Sequence, residues 1–245
     1  MATQTTFRIK RFDPDTKKDW FQSYTIDITP GLTVLEALWF IVRHVDGSLS
    51  FRYSCRGAVC GSCAMVINRE ITLACHTQVL ALESDTIEIE PLPRMRVIKD
   101  LIVDIEAFLE KYRTIDPFLI NTQPHERELL QSPENRAPIN DSVKCILCTS
   151  CHAACPLTAV DDTYLGPAVL NAAQRFAFDD RNEGGDKVLK KVNDLEGALG
   201  CRTVSRCTEV CPKQVDPSIR IKDIKERIRT YADQGKLTPP KKETS

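Results

Sequence analysis

Eleven cysteines in three groups constrain this chain more than any other feature. The first group is Cys55, Cys60, Cys63 and Cys75. The second is Cys145, Cys148, Cys151 and Cys155, with Pro156 after it. The third is Cys201, Cys207 and Cys211, with Pro212 after it. Laid on the second group, the third matches at every offset but one: Val204 stands where Cys148 would be. A chain that must bring so many thiols together in short loops is limited in fold by those loops.

Disulfides suit short secreted domains with an even cysteine count. This chain has 245 residues, an odd count, and no charged start followed by an apolar stretch and a small-residue cleavage site in its first thirty residues. The expectation is therefore a reduced, cytosolic chain whose cysteines bind metal. A net charge of −1 gives no global attraction to nucleic acid, so none is expected as a partner. The most apolar stretch, residues 32–45, contains Glu36, Arg43 and His44 and is shorter than the roughly 20 apolar residues of a spanning helix.

The first hundred residues alternate with period two: Phe7 and Ile9, then Tyr24, Ile26 and Ile28, then Ile87 and Ile89 point one way between polar neighbours. One helix interrupts them. Thr33 with Glu36 reads as a capping box, followed by Leu35, Leu38, Trp39, Val42 and Val45 at helical spacing. Residues 64–67 and 71–74 around Asn68-Arg69 read as a hairpin. Beyond Pro91 and Pro93, residues 105–112 suggest a short helix, and 114–140 a loop-rich connection. Residues 169–178, 187–199 and 219–231 are helical in pattern. The fold class is α+β: a mixed-sheet domain over 1–100, a connecting segment over 101–140, and an all-α domain over 141–245.

The first group reads C-x4-C-x2-C plus a distant fourth cysteine, the plant-type spacing for [2Fe–2S]. Gly57 and Gly61 are expected to let the loop approach closely. The alternative is a structural zinc site, which usually reads C-x2-C twice. His76 beside Cys75 reads as a neighbour, not a ligand. The second group reads C-x2-C-x2-C-x3-C-P, in which the fourth cysteine serves the other cluster. Cys145, Cys148, Cys151 and Cys211 are thus assigned to [4Fe–4S]. Cys155, Cys201 and Cys207 are left for a second centre with three thiolates, because valine cannot ligate. The expected species is [3Fe–4S]; a cubane whose fourth iron takes water or another side chain is the alternative. Four, four and three use every cysteine, so none remains for nucleophilic catalysis. No G-x-G-x-x-G or G-x-x-x-x-G-K-[ST] occurs, so no flavin, nicotinamide or ATP site is expected on this chain. Three redox centres without a substrate site read as a wire between two partners.

The chain resembles the iron–sulfur subunit of the succinate dehydrogenase/fumarate reductase family over nearly its full length. The resemblance is carried by Ser54-Cys55-Arg56, Val59-Cys60-Gly61-Ser62-Cys63, Leu73-Ala74-Cys75, Lys144-Cys145-Ile146-Leu147-Cys148, Leu165-Gly166-Pro167-Ala168 and Glu209-Val210-Cys211-Pro212-Lys213. It implies a β-grasp plant-type ferredoxin domain followed by a bacterial-ferredoxin-like helical one. It implies a flavoprotein partner with covalent FAD, where fumarate and succinate interconvert. It also implies a quinone-binding membrane anchor, often with haem b, and a peripheral place on the cytoplasmic face of the inner (cell) membrane. Electrons would pass from FAD through [2Fe–2S], [4Fe–4S] and [3Fe–4S] to quinone, or the reverse.

Two departures stand out. Where many ubiquinone-linked members have a Trp after the first C-P, this chain has Leu157, Thr158, Ala159 and Val160. Where they have His after the first cysteine of the last run, it has Arg202. Both lean toward a fumarate reductase-like or menaquinone-linked complex, with Pro156 and Arg202 as candidates to line a quinone pocket. Rival readings are the iron–sulfur subunit of a soluble, non-quinone flavin dehydrogenase, a free ferredoxin-like carrier, and a zinc-stabilised interaction module. The first of these often carries a further cysteine-rich segment, and none follows Cys211. Finally, residues 220–242 hold eight Lys/Arg against three Asp/Glu. Contact with anionic lipid is one reading; a solvated amphipathic helix with a disordered tail is the one favoured.

Overall fold

A computed structural model of the chain describes residues 3–122 and 126–237. Contacts divide it into two units, residues 1–105 with 146–154, and residues 106–145 with 155–245.

The first unit is built on a five-stranded mixed sheet. Its strands are β1 (Thr3–Phe12), β2 (Asp19–Ile28), β3 (Ala64–Ile67), β4 (Glu70–Leu73) and β5 (Thr86–Glu90), in the order β2-β1-β5-β3-β4. β1 pairs antiparallel with β2 and parallel with β5. Helix α1 (Val34–His44) supplies the other wall of the core. Its start is the expected capping box: the Glu36 N–H donates to Thr33 Oγ1 at 3.2 Å, and the Thr33 N–H donates to Glu36 Oε2 at 2.9 Å. Leu35, Leu38 and Ile41 then meet Phe7, Ile9, Ile26, Ile87 and Ile89 in one buried cluster. The β3–β4 hairpin turns at Asn68 and Arg69, both at positive φ, which matches the right-handed twist of the paired strands. β4 ends at Leu73, so Ala74 and Cys75 fall in a tight turn instead of continuing the strand. A short ribbon, β6 (Val97–Lys99) with β7 (Ile102–Val103), leaves no mark in the sequence because three and two residues are too few to show a period.

The buried face of β1 does not stop at Ile9. Thr5, Phe7, Ile9 and Arg11 share it, and Arg11 is 3% exposed. Its guanidinium is satisfied on every side: Nε donates to Asp100 Oδ1 at 2.9 Å, Nη1 to Tyr24 Oη at 2.7 Å and Asp46 Oδ2 at 2.8 Å, and Nη2 to Ser48 Oγ at 2.9 Å. Asp100 also accepts from the N–H groups of Phe12 and Ser50. A single buried cation thus fixes the 46–50 segment that leads into the first cysteine loop.

The second unit is helical among the described residues. It comprises α2 (Glu106–Thr114), α3 (Pro133–Arg136), α5 (Pro167–Ala177), α6 (Gly185–Lys191), α7 (Arg206–Glu209) and α8 (Pro217–Asp233), while α4 (Ser150–Ala154) is counted with the first unit. Leu170, Ala173 and Phe176 of α5 and Ile221, Ile224 and Ile228 of α8 are buried. The helix read over 187–199 ends at Lys191. A Cβ at Gly200 would lie 2.0 Å from the Leu195 carbonyl oxygen, so the chain turns sharply before Cys201. Much of the basic charge of α8 is engaged within the unit: Arg220 faces Asp223 at 3.1 Å, Lys225 donates to the Cys201 carbonyl, and Arg227 covers the Phe178 ring. That accords with an amphipathic helix; the tail from Thr238 lies outside the described residues. No helix among the described residues is long and apolar enough to cross a membrane.

Removing the Arg11 side chain leaves Asp100, 1% exposed at its side chain, as a buried charge without its cation. Arg11→Ala is expected to lower stability by about 3–5 kcal/mol in urea unfolding; a loss under about 1 kcal/mol would contradict this role. Bonds from Ser48 and Tyr24, then Arg11, hold Asp46 well below the ordinary carboxylate range despite partial burial. Its stabilisation is therefore full at neutral pH and is lost only as pH falls below about 4 toward that depressed value.

Candidate iron–sulfur sites

The first loop runs from Phe51 to Cys63 and turns its backbone inward. Arg56, Ala58 and Gly61 have positive φ. With the chain so wound, the N–H groups of Gly57, Val59 and Cys60 donate to Cys55 Sγ at 3.4, 3.3 and 3.2 Å. The Cys55 N–H donates to Cys60 Sγ, and the Ala58 N–H to Cys75 Sγ, both at 3.4 Å. Such a concave row of N–H groups is a site for negative charge. Cys75 is brought in by the turn after β4. The Val34 N–H bonds to the Thr77 carbonyl and the Val79 N–H to that of Leu32, which ties this turn to the start of α1.

The four thiols differ in setting. Cys55 is exposed, Cys60 half-buried, and Cys63 and Cys75 buried. Burial pushes the Cys63 thiol up to about 12. Burial also acts on Cys60, but the Cys55 N–H and Ser62 outweigh it and bring that thiol down to about 6. Local hydrogen bonds thus favour thiolate at Cys60, while burial disfavours it at Cys63. His76 is exposed. The close approach expected of Gly57 and Gly61 falls on Gly61 alone. A Cβ on Gly57 would meet only the Cys55 carbonyl oxygen at 3.8 Å, and its φ is not positive. Among the described residues no three His, Cys, Asp or Glu side chains are grouped to hold a single metal ion.

The two C-P runs repeat in backbone as well as in spacing. A 3-10 turn at Ser142–Lys144 delivers Cys145 at φ −63°, ψ 128°; another at Ala198–Gly200 delivers Cys201 at φ −55°, ψ 128°. Leu147 and Thr149 have φ 54° and 63°; their counterparts Thr203 and Ser205 have φ 57° and 63°. Short helices α4 and α7 then carry Cys151 and Cys207. Val204 thus occupies the loop position of Cys148, between the same pair of left-handed residues. The first run is anchored by Asn171 Nδ2, which donates to the Ser142 carbonyl at 3.2 Å, and by Gln174, which bonds Ser142 Oγ and the Pro138 carbonyl. No spacing in the sequence announces these two α5 residues.

Cys155, Cys201 and Cys207 line one cavity of about 280 Å³, and Val204, 60% exposed, stands on its rim with them. Pro156 and Arg202 border the same cavity. The Thr203 N–H donates to Cys201 Sγ at 3.4 Å. Burial pushes Cys207 up to about 11. Tyr164, 1% exposed, also lines the cavity; burial first, and then the nearby Cys201, push its hydroxyl above the ordinary phenol range. In the sequence it sits one residue before the Leu165-Gly166-Pro167 stretch without a signal of its own. Of the remaining thiols, Cys148 and Cys151 are counted with the first unit and Cys145 and Cys211 with the second.

Residues 6–110 match the model of the 2Fe-2S iron-sulfur cluster binding domain family, and residues 141–215 that of the 4Fe-4S dicluster domain family. The chain thus matches two iron–sulfur domain families in tandem. It resembles the iron–sulfur subunits of the succinate dehydrogenase/fumarate reductase family in domain order and in fold. The fold is shared with a chain of the Mycobacterium smegmatis Sdh1 complex in the apo form, at 23% identity and a TM-score of 0.85, covering 96% of this chain and 98% of that one. A hypothetical protein from Helicobacter pylori is similar at 16% identity and a TM-score of 0.57, covering 93% of this chain but 40% of that one.

Thr203 is an exposed, β-branched residue in the left-handed region, where an L side chain costs about 1–2 kcal/mol. Thr203→Gly removes that strain against an entropy cost of about 0.5–1 kcal/mol. Chemical denaturation should show a net gain of roughly 0.5–1 kcal/mol, with iron content unchanged. A net loss would mean that the loop is held otherwise.

Proposed function

We propose that this chain is the electron-transfer subunit of a succinate dehydrogenase/fumarate reductase-type complex and binds no organic substrate itself. Its β-grasp domain holds [2Fe–2S] on Cys55, Cys60, Cys63 and Cys75. Cys145, Cys148, Cys151 and Cys211 hold [4Fe–4S], and Cys155, Cys201 and Cys207 hold [3Fe–4S]. When bound, the three clusters supply one-electron transfer between a flavoprotein carrying FAD and a membrane anchor carrying quinone and haem b. The chain lies peripherally on the cytoplasmic face of the inner membrane.

The observation that carries this reading is the cavity shared by Cys155, Cys201 and Cys207, with Val204 at the position where the parallel run has a cysteine. Its residues have separable tasks. The three thiolates hold the centre, and the Thr203 N–H steadies the charge on Cys201. Val204 offers no fourth ligand and leaves that side open. Pro156 and Arg202 border the opening, where a quinone headgroup would meet an apolar wall and one cation. Leu157 to Val160 and Arg202 replace the Trp and His of many ubiquinone-linked relatives, which favours a menaquinone-linked, fumarate reductase-like complex.

Val204→Cys is expected to convert the three-thiolate centre toward [4Fe–4S], lower its reduction potential and slow electron exchange with quinone. A centre unchanged in redox titration would overturn the assignment. Steady-state assays with menaquinol and ubiquinone analogues in both directions should favour the menaquinone couple; a clear ubiquinone preference would contradict that part.

A further inference from the structure

Gly61 lies between Cys60 and Cys63 and packs against the backbone and Cβ of a cysteine from a different group. A Cβ built on it would sit 2.6 Å from Cys148 Cβ and 2.8 Å from Cys148 Cα. Ordinary carbon–carbon contact is about 3.5–4.0 Å, so a methyl there would force a retreat of about 1 Å. Cys148 has little room to retreat. It packs with Ile146 against the core of the first unit, where Ala153 is fully buried, and Arg94 clamps the Ala153 carbonyl. A cavity of about 100 Å³ adjoins the contact, bordered by Cys60, Gly61, Cys148 and Arg52. The φ of Gly61 is +71°, so two separate demands fall on one residue.

We infer that, given the ligand assignments proposed above, Gly61 is a positioning residue for electron transfer between the first two centres. Its bare backbone sets the closest approach of the [2Fe–2S] loop to a thiolate of the next centre. One electron leaves the first centre, which is oxidised by one unit, and enters the centre bound by Cys148, which is reduced by one unit. No proton moves and no bond is made or broken. The rate of such a step depends steeply on separation, and a side chain at position 61 lengthens it.

The test compares Gly61→Ala, Gly61→Asn and the control Gly47→Ala, where a Cβ would meet only the Val42 carbonyl oxygen at 3.7 Å, in the full chain, purified with its partner subunits. Iron and acid-labile sulfide are measured first. Then come the magnetic coupling of the two reduced centres and the rate of transfer from the first centre after flash reduction. Asn separates the two demands, because it tolerates positive φ but is larger than Ala. Cluster content should be retained in all three. Transfer should slow several-fold and coupling weaken in Gly61→Ala, and more so in Gly61→Asn, while Gly47→Ala behaves as the parent chain. Unchanged rate and coupling in Gly61→Ala would overturn the inference. So would recovery in Gly61→Asn, which would reduce Gly61 to a backbone requirement, or loss of the first centre's own iron, which would make it part of that loop alone. Zinc in place of iron in the parent chain would instead sink the three-centre reading itself.

Discussion

A backbone that points its N–H groups inward at sulfur cannot be made from ordinary helix or strand. In this chain it is made by left-handed residues set among the cysteines: Arg56, Ala58 and Gly61 in the first loop, Leu147 and Thr149 in the second, Thr203 and Ser205 in the third. Only one of these seven is glycine, so most carry a steric cost. The surrounding fold must hold such strained segments in place. In the first unit the Arg11 cluster fixes the approach to the loop, and the capping box of α1 fixes the turn that carries Cys75. In the second, Ser142, Asn171 and Gln174 pin the entry to Cys145, while Lys225 holds the carbonyl of Cys201. Cluster binding is expected to return the cost, since thiolates and N–H groups are then satisfied together.

The same backbone used twice with different side chains is what gives the helical domain its asymmetry. At Cys148 the loop presents a thiol that packs on the core of the first unit; at Val204 it presents an exposed methyl pair on the rim of a cavity. A centre with one thiolate fewer carries less negative charge, and its potential rises accordingly. On the assignments proposed, the three-thiolate centre would lie beside an opening bordered by Arg202 and the Cys148 thiolate near Gly61, which would give the chain a direction without a substrate site of its own.

Much of this was legible in the sequence because short-range rules govern it. Thr33 and Glu36 are three apart, and the helix starts where they say. Asn68-Arg69 between two apolar pairs is a two-residue turn. The C-P spacing predicted a repeat that the φ values of Leu147, Thr149, Thr203 and Ser205 now express in backbone form. What failed to show depends on distant partners. Arg11 continues an apolar stripe and could not be placed until Asp46, Asp100 and Tyr24 surrounded it. The pattern over 187–199 is helical in hydrophobicity, yet the helix ends at Lys191 and the chain turns back through Gly197 and Gly200, tight against the Val192 and Leu195 carbonyls. Gly57 and Gly61 look alike in the motif, and only the folded chain separates them, by the φ of Gly61 and by its approach to Cys148.

The central claim is that Val204 leaves one centre with three thiolates. Electron paramagnetic resonance of the oxidised, anaerobically purified protein tests it most directly, because oxidised [2Fe–2S] and [4Fe–4S] centres are silent. A [3Fe–4S] signal is the result the account predicts. A silent spectrum from protein with its full iron content would contradict it.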